Sequence, residues 1–447
     1  MIFNSIEFIF YFIPIFFSIY YICPAKGRNF VLLAGSFVFY AWGDIYSLPI
    51  VVLSAFVNYS FGSIIEHRKE RSAMRKVWLF LAVIFHVGVF CMFRMGNILS
   101  IMPLGLSFYT FQAISYVADV YLGKIHAEQS PIGYFTYFFM FPKFVSGPIT
   151  RYGEIQTALE HRKISPLQVE EGLKIFAIGL GGKVLIADQM GKLWNAIQTV
   201  GFESISMPLA WLGAIAVSLQ IYFDFQGYSL MAIGLGRMLG FKLPQNFRQP
   251  YTSGSVTEFW RNWHMTLSLW FRDYVYIPLG GSKKGVFRTI CNLLVVWVLT
   301  GLWHGTTGNF LLWGIGFFIL LTLEKLFLKK ALDATILLKR VYMLFVIPIS
   351  WIVFSITDAG ELYTYLQRMF DVTSFYDMAN LWDVVYYLKD YGWTALFGLV
   401  LSTTLPSKVY EKCKKHFVTA VILILLFWLS VYYIMSAESN PFLYSHF

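Results

Sequence analysis

Charge is what this sequence has least of. Lys, Arg, Asp and Glu make up 13% of its 447 residues, where a soluble domain carries about 25%. So few charges cannot solvate a surface of this size, which excludes an ordinary soluble fold and implies a membrane protein. Cysteine is scarce as well. Cys23, Cys91, Cys291 and Cys413 are scattered without CxxC spacing, so they suggest neither a disulfide framework nor a thiolate metal site and read as small apolar filler. There is no HExxH, no Walker A lysine motif, no dinucleotide fingerprint and no G-x-S-x-G elbow. Zinc peptidase, P-loop, dinucleotide-binding and serine-hydrolase chemistry therefore have no support, and no metal is expected. Gly/Ser or Pro-rich linkers, low-complexity tracts and fixed-period repeats are also lacking, so a single integral membrane domain over 1–447 is expected.

What fills the chain is apolar and aromatic: 57% hydrophobic residues, with Phe, Trp and Tyr at 19%. A spanning helix needs about 20 mostly apolar residues. Runs over 6–22, 30–42, 45–64, 77–94, 104–122, 170–187, 207–224, 290–303, 309–327, 341–356, 393–405 and 417–436 meet or approach that length. They predict an all-α polytopic protein with about 11 transmembrane helices. Residues Ile6 to Ile22 lack a basic leader and read as a retained span.

The net charge is +10, and the basic residues cluster between the apolar runs. That is a topogenic pattern, and it requires no nucleic-acid partner. The loop from His67 through Lys76 is strongly basic and is expected in the cytoplasm. Counting three spans back places the N-terminus outside. Lys329, Lys330, Lys339, Arg340 and Lys412 through Lys415 belong to the same cytoplasmic side by the same rule.

Two stretches break the pattern. Residues 131–150 are apolar but lie between basic loops, and they hold Phe141-Pro142-Lys143 and Ser146-Gly147-Pro148. Two prolines and a glycine do not suit a straight helix. A re-entrant element is expected, which survives at membrane depth only where protein or a water-filled cavity satisfies its backbone. Residues 225–290 carry Arg237, Lys242, Arg248, Glu258, Arg261, His264, Arg272 and Asp273 among many aromatics. Buried or interfacial helices fit that mixture better than a lipid-facing span.

Ionisable residues inside a membrane are costly and mark function by default. Of the eight histidines, His67, His126, His161 and His416 fall in polar loops, His446 lies near the end, and His86 sits mid-span as a packing histidine. His304 differs. It ends an apolar run within Thr300-Gly301-Leu302-Trp303-His304-Gly305. Its imidazole can take a proton from a hydroxyl at neutral pH; alternatively it is a helix-end histidine bonded to a carbonyl. His264 lies in Glu258-Phe259-Trp260-Arg261-Asn262-Trp263-His264. If that segment is one helix, Trp260, Trp263 and Leu267 share a face, either lining a site or forming an interfacial belt. Asp224, in Tyr222-Phe223-Asp224-Phe225, is expected to pair with an arginine such as Arg248 or Arg261.

These motifs, taken in order, resemble the membrane-bound O-acyltransferases, and most of all a bacterial branch that includes the membrane component of alginate O-acetylation. The resemblance rests on Tyr40-Ala41-Trp42, Pro103-Leu104-Gly105-Leu106-Ser107-Phe108-Tyr109, Ser146-Gly147-Pro148-Ile149, Tyr222-Phe223-Asp224-Phe225 with Gly227-Tyr228-Ser229, and Asn246-Phe247. It continues through Glu258-Phe259-Trp260, Trp263-His264, Arg272-Asp273-Tyr274, Gly301-Leu302-Trp303-His304-Gly305 and the tail Asn440-Pro441-Phe442-Leu443-Tyr444. Nearly the whole chain is covered. Two positions depart from the alginate type. Trp313-Gly314-Ile315-Gly316-Phe317-Phe318 has phenylalanine where that type often has a histidine, and Leu230 stands where it often has aspartate.

The resemblance implies a ring of helices with a central funnel, catalytic His304, and His264 at a second polar position. Around them Asp224, Glu258, Trp260, Arg261, Trp263, Arg272 and Trp303 are expected to bind donor or substrate, with Arg261 and Arg272 holding phosphates. No cofactor is expected to be resident; the donor would be acetyl-CoA or another acyl thioester from the cytoplasm. The acceptor would be an extracytoplasmic polysaccharide, or an SGNH-type acetyltransferase partner that finishes the transfer at a bacterial cytoplasmic membrane. Two alternatives stand beside this: a D-alanyl transferase for teichoic acid, and a non-catalytic flippase for a lipid-linked sugar.

Overall fold

The computed structural model describes residues 2–67, 72–95, 102–372 and 378–436. The basic turn Arg68-Lys69-Glu70-Arg71, the tail motif at 440–444 and His446 lie outside them. Every regular element among the described residues is a helix. In chain order come α1 (Ile13–Ile22), α2 (Arg28–Asp44), α3 (Leu48–His67), α4 (Ser72–Met95), α5 (Leu106–Tyr121), α6 (Pro131–Phe139) and α7 (Phe141–Phe144). Then follow α8 (Tyr152–Glu160), α9 (Pro166–Gly181), α10 (Asp188–Val200), α11 (Met207–Met238), α12 (Val256–Asn262), α13 (Met265–Phe271) and α14 (Gly285–His304). The last are α15 (Gly308–Leu323), α16 (Lys329–Ala334), α17 (Ile336–Ser355), α18 (Ala359–Phe370), α19 (Met378–Leu401), α20 (Thr404–Cys413) and α21 (Phe417–Ser436).

Among the described residues, seven helices are long and apolar enough to cross a bilayer: Leu48–His67, Ala73–Arg94, Met207–Met238, Gly285–His304, Gly308–Ala334, Ile336–Ser355 and Phe417–Ser436. The protein is therefore a multi-pass membrane protein. The other apolar runs form shorter helices, such as α2 with 17 residues and α5 with 16. The most apolar window of Met207–Met238 is 78% buried, that of Phe417–Ser436 only 17%. α11 is thus an interior helix, whereas α21 shows most of its surface to the surroundings.

The chain divides into two compact units. The first comprises Met1–Leu180, Tyr228–Gln245 and Phe427–Phe447. Its core is aromatic. Phe8, Phe12, Phe16 and Phe39 surround Phe141, with ring centroids 6.3, 5.3, 5.2 and 5.5 Å from it. Phe141 opens the second half of the segment read as a broken element. α6 stops at Met140, because Pro142 has no N–H to continue the ladder. The Phe141 N–H freed there donates to Ser36 Oγ at 3.1 Å, so protein satisfies the broken backbone. Gly147 is required at the turn that follows, since a Cβ there would sit 2.4 Å from Lys143 Cα. The buried Lys143 Nζ donates to Gln112 Oε1 and lies 4.2 Å from the centre of the Tyr137 ring. His86 is a packing histidine, its Nε2 2.9 Å from Asn58 Oδ1.

The second unit comprises Gly181–Gly227 and Asn246–Leu426. Here α14 and α15 approach closely. A Cβ on Gly301 would lie 2.7 Å from Phe310 O, and one on Gly314 would lie 2.6 Å from Trp297 O. Small residues at both faces bring the two backbones together, as is usual between membrane helices. Thr307, Asn309 and the C-terminal end of α17 secure the corner: Asn309 Nδ2 donates to Phe354 O at 2.8 Å. The candidate chemistry gathers in this unit.

Candidate active site

The stretch 256–271 is two short helices, not one. Trp263 is extended (φ −104°, ψ 131°) and His264 is left-handed (φ 41°, ψ 54°). The condition under which Trp260, Trp263 and Leu267 would share one helical face is therefore not met. Local periodicity continues through the break, but tertiary partners reward the break. Asn246 supplies them: its carbonyl accepts from Met265 N at 2.9 Å, and its Oδ1 accepts from Thr266 Oγ1 at 2.6 Å. The same Oδ1 lies 3.3 Å from His264 Nδ1. A left-handed non-glycine residue costs about 1–2 kcal/mol, and such strain collects at functional sites. His264 lies outside the seven apolar spans, and burial lowers its pKa to about 3. It is a neutral imidazole. A carbonyl oxygen facing Nδ1 calls for the proton on that nitrogen and leaves Nε2 the basic one.

The near end of α12 is held from a distance. Ser255 Oγ accepts from Glu258 N at 3.1 Å. Glu324, 4% exposed, accepts from Val256 N at 2.5 Å, Thr257 N at 2.9 Å and Thr257 Oγ1 at 2.6 Å. A carboxylate on the first N–H groups of a helix satisfies donors the helix itself cannot. Neither Asn246 nor Glu324 stands out in sequence as a site residue. Asn246 did lie in a recognised motif run, whereas Glu324 gave no local signal.

His304 is the last residue of α14 and is 4% exposed. Its ring is walled by aromatics: Trp303 at 4.4 Å, Phe354 at 5.0 Å, Trp313 at 5.1 Å and Phe310 at 6.3 Å between centroids. Gly305 makes that wall possible, because a Cβ there would lie 2.2 Å from two Phe310 ring atoms. His264 also meets Trp303, at 6.2 Å, and crosses Phe225 edge-on at 4.6 Å. Both histidines therefore contact one indole. Two buried imidazoles in an aromatic setting can bind, orient and deprotonate a hydroxyl.

The remaining expected site residues separate into two groups. Trp303 and Trp263 are buried within the histidine cluster, with Trp263 4.8 Å from Trp351. Trp260 packs on Trp297 at 4.8 Å and on Trp313 at 5.5 Å. Glu258, Arg261 and Arg272 are exposed instead. Glu258 Oε2 accepts from Gly254 N at 2.8 Å, and Arg272 pairs with Asp273 at 2.7 Å.

Asp224 needs a correction. Its ion-pair partner is Lys183, at 2.7 Å, rather than Arg248 or Arg261. Lys183 also reaches Asp188 at 2.6 Å. It sits in a π-helical turn, Gly182–Ala187, whose altered register the sequence does not announce. Among the described residues, no group of three or more His, Cys, Asp or Glu side chains is placed to hold a metal ion.

Residues 37–358 match the model of the membrane-bound O-acyltransferase family. The chain is 36% identical over 391 residues to the "Probable alginate O-acetylase AlgI" of Azotobacter vinelandii, covering 83% of this chain and 78% of that protein. It is 32% identical over 366 residues to the "Peptidoglycan O-acetyltransferase" of Helicobacter pylori, 70% and 68% of the two chains. A "Teichoic acid D-alanyltransferase" of Bacillus subtilis is 30% identical over 239 residues, 51% of this chain and 60% of its own.

Proposed function

The chain belongs to the membrane-bound O-acyltransferase family, and on that premise we propose that it carries an acetyl group from a cytoplasmic thioester to an acceptor outside the bilayer. It is an O-acyltransferase. The observation that carries the finer reading is His304: a buried imidazole at the end of an apolar spanning helix, enclosed by Trp303, Trp313, Phe310 and Phe354. His304 acts as general base on the acceptor hydroxyl. His264, neutral and fixed by Asn246, orients donor or acceptor. The exposed guanidinium groups of Arg261 and Arg272 bind the phosphates of acetyl-CoA, a substrate and not a resident cofactor. Asp224, ion-paired to Lys183, holds its helix rather than touching substrate.

The acceptor is an exported polysaccharide or an SGNH-type partner protein. The identity to an alginate O-acetylase and to a peptidoglycan O-acetyltransferase supports an acetyl donor and a cell-envelope acceptor. The protein resides in a bacterial cytoplasmic membrane with its N-terminus outside, as its basic loops favour. Its 447 residues form one membrane domain with about 11 spans around a funnel, the shorter apolar helices adding to the seven long ones. The second reading, D-alanyl transfer, is favoured by the teichoic acid relatives alone.

Transfer of labelled acetyl from acetyl-CoA, in sealed vesicles of defined orientation, tests this. Label on a lumenal acceptor with wild type and none with His304→Ala is the expected result. Transfer only from a D-alanyl carrier protein would replace acetylation by the second reading. Equal label with wild type and His304→Ala would remove His304 from the chemistry.

A further inference from the structure

Acyl transfer needs more than a base. When a hydroxyl attacks a thioester, the carbonyl oxygen gains negative charge, and in a dry site a positioned donor must meet it. Trp313 offers one beside His304. It is 2% exposed, and its indole Nε1 is buried with no hydrogen-bond acceptor among the described residues. Buried indole N–H groups normally find a partner. The Trp313 and His304 rings lie 5.1 Å apart with planes 84° from parallel. The close approach of α14 and α15 at Gly301 and Gly314 fixes this pairing, since Gly314 adjoins Trp313. Trp260 and Trp351 also have indole N–H groups lacking an acceptor, and both pack on Trp313, at 5.5 and 6.2 Å. Trp313 is the one of these three whose ring meets the His304 ring; the Trp303 ring lies nearer, at 4.4 Å, and also contacts His264.

We propose that the Trp313 indole N–H donates to the thioester carbonyl oxygen and stabilises the oxyanion formed there. This rests on the acyl-transfer reading. The acceptor oxygen bonds to the carbonyl carbon while its proton passes to His304. The C=O π electrons move to the oxygen, which accepts from Trp313 N–H. Collapse restores C=O and breaks the C–S bond, and the departing thiolate takes the proton back from His304. Atoms and charge balance, and the indole keeps its proton throughout.

The test replaces Trp313 by β-(3-benzothienyl)alanine, which keeps the ring shape and exchanges N–H for sulfur, in full-length protein reconstituted in vesicles. Trp313→Phe and His304→Ala are run beside it. Loss of one oxyanion donor lowers kcat by roughly 100- to 1,000-fold. That loss is expected at 313, with KM changed less than about threefold and an unchanged melting midpoint. The same exchange at Trp351 is expected to leave kcat within about threefold. A benzothienyl-313 protein with wild-type kcat, where His304→Ala is inactive, overturns the assignment and leaves the acyl-transfer reading standing. An equal loss at 351 also overturns it, since packing would then explain the effect. Activity surviving in His304→Ala removes His304 from the chemistry and overturns this assignment with it, and a wild-type protein that transfers no acyl group brings down the acyl-transfer reading.

Discussion

Glu324 reaches across 68 residues of chain to hold the start of α12, and its removal should be felt at His264. The side chain accepts from Val256 N at 2.5 Å, Thr257 N at 2.9 Å and Thr257 Oγ1 at 2.6 Å. Hydrogen bonds to a charged group contribute about 1.5–3 kcal/mol each, and they are not additive when they share one carboxylate. Losing a helix cap alone costs about 0.5–2 kcal/mol. Glu324→Ala should therefore destabilise the protein by about 3 kcal/mol, and Glu324→Gln by about half that, because an amide keeps a single acceptor oxygen. α12 ends at the Trp263–His264 break, so a shift of its start by about 1 Å carries to the imidazole and lowers transfer by roughly 100-fold. A double-mutant cycle with Thr257→Val isolates the bond to the hydroxyl, with an expected coupling of about 1 kcal/mol. Stability is read from unfolding in mixed micelles and activity from vesicle transfer. Glu324→Ala and Thr257→Val effects that add within about 0.3–0.5 kcal/mol would refute the reasoning, because residues without contact behave that way.

Other perturbations follow from the same geometry. Gly305→Ala places a methyl 2.2 Å from the Phe310 ring; the ring must leave His304, and kcat should fall roughly 100-fold while the protein still inserts and folds, which circular dichroism checks. Lys183→Met removes the cation that Asp188 and Asp224 share, and breaking a buried pair this way should cost about 3–5 kcal/mol in the unfolding assay. Arg261→Ala and Arg272→Ala should raise KM for acetyl-CoA with kcat nearly unchanged and stability within about 0.5 kcal/mol. A fall in kcat without a change in KM would remove both arginines from donor binding.

Much of the molecule was legible because it is written locally. Scarce charge and long apolar runs state the membrane class, and hydropathy placed His304 at the end of a span, where α14 does stop. Pro142 and Gly147 announced the break after α6, since proline cannot donate and a Cβ cannot fit. The ordered motifs carried the family. Local pattern misled where distant groups decide backbone shape. Nothing local to Glu258–Leu267 forbids one helix through His264, but Asn246, 18 residues earlier, offers that backbone better partners. Asp224 suggested an arginine such as Arg248 or Arg261, whereas the π-helical turn at Gly182–Ala187 presents Lys183. Glu324 on α12 and Trp313 against His304 belong to the same class. In each, two residues on different elements become neighbours only when helices pack. Which segments are apolar, where the backbone must break and which imidazole ends a span are local properties, because they depend on solvation and on sterics within a few residues. Which donor faces which acceptor is a property of the packed fold, because in a buried interior that pairing is set by the approach of whole helices.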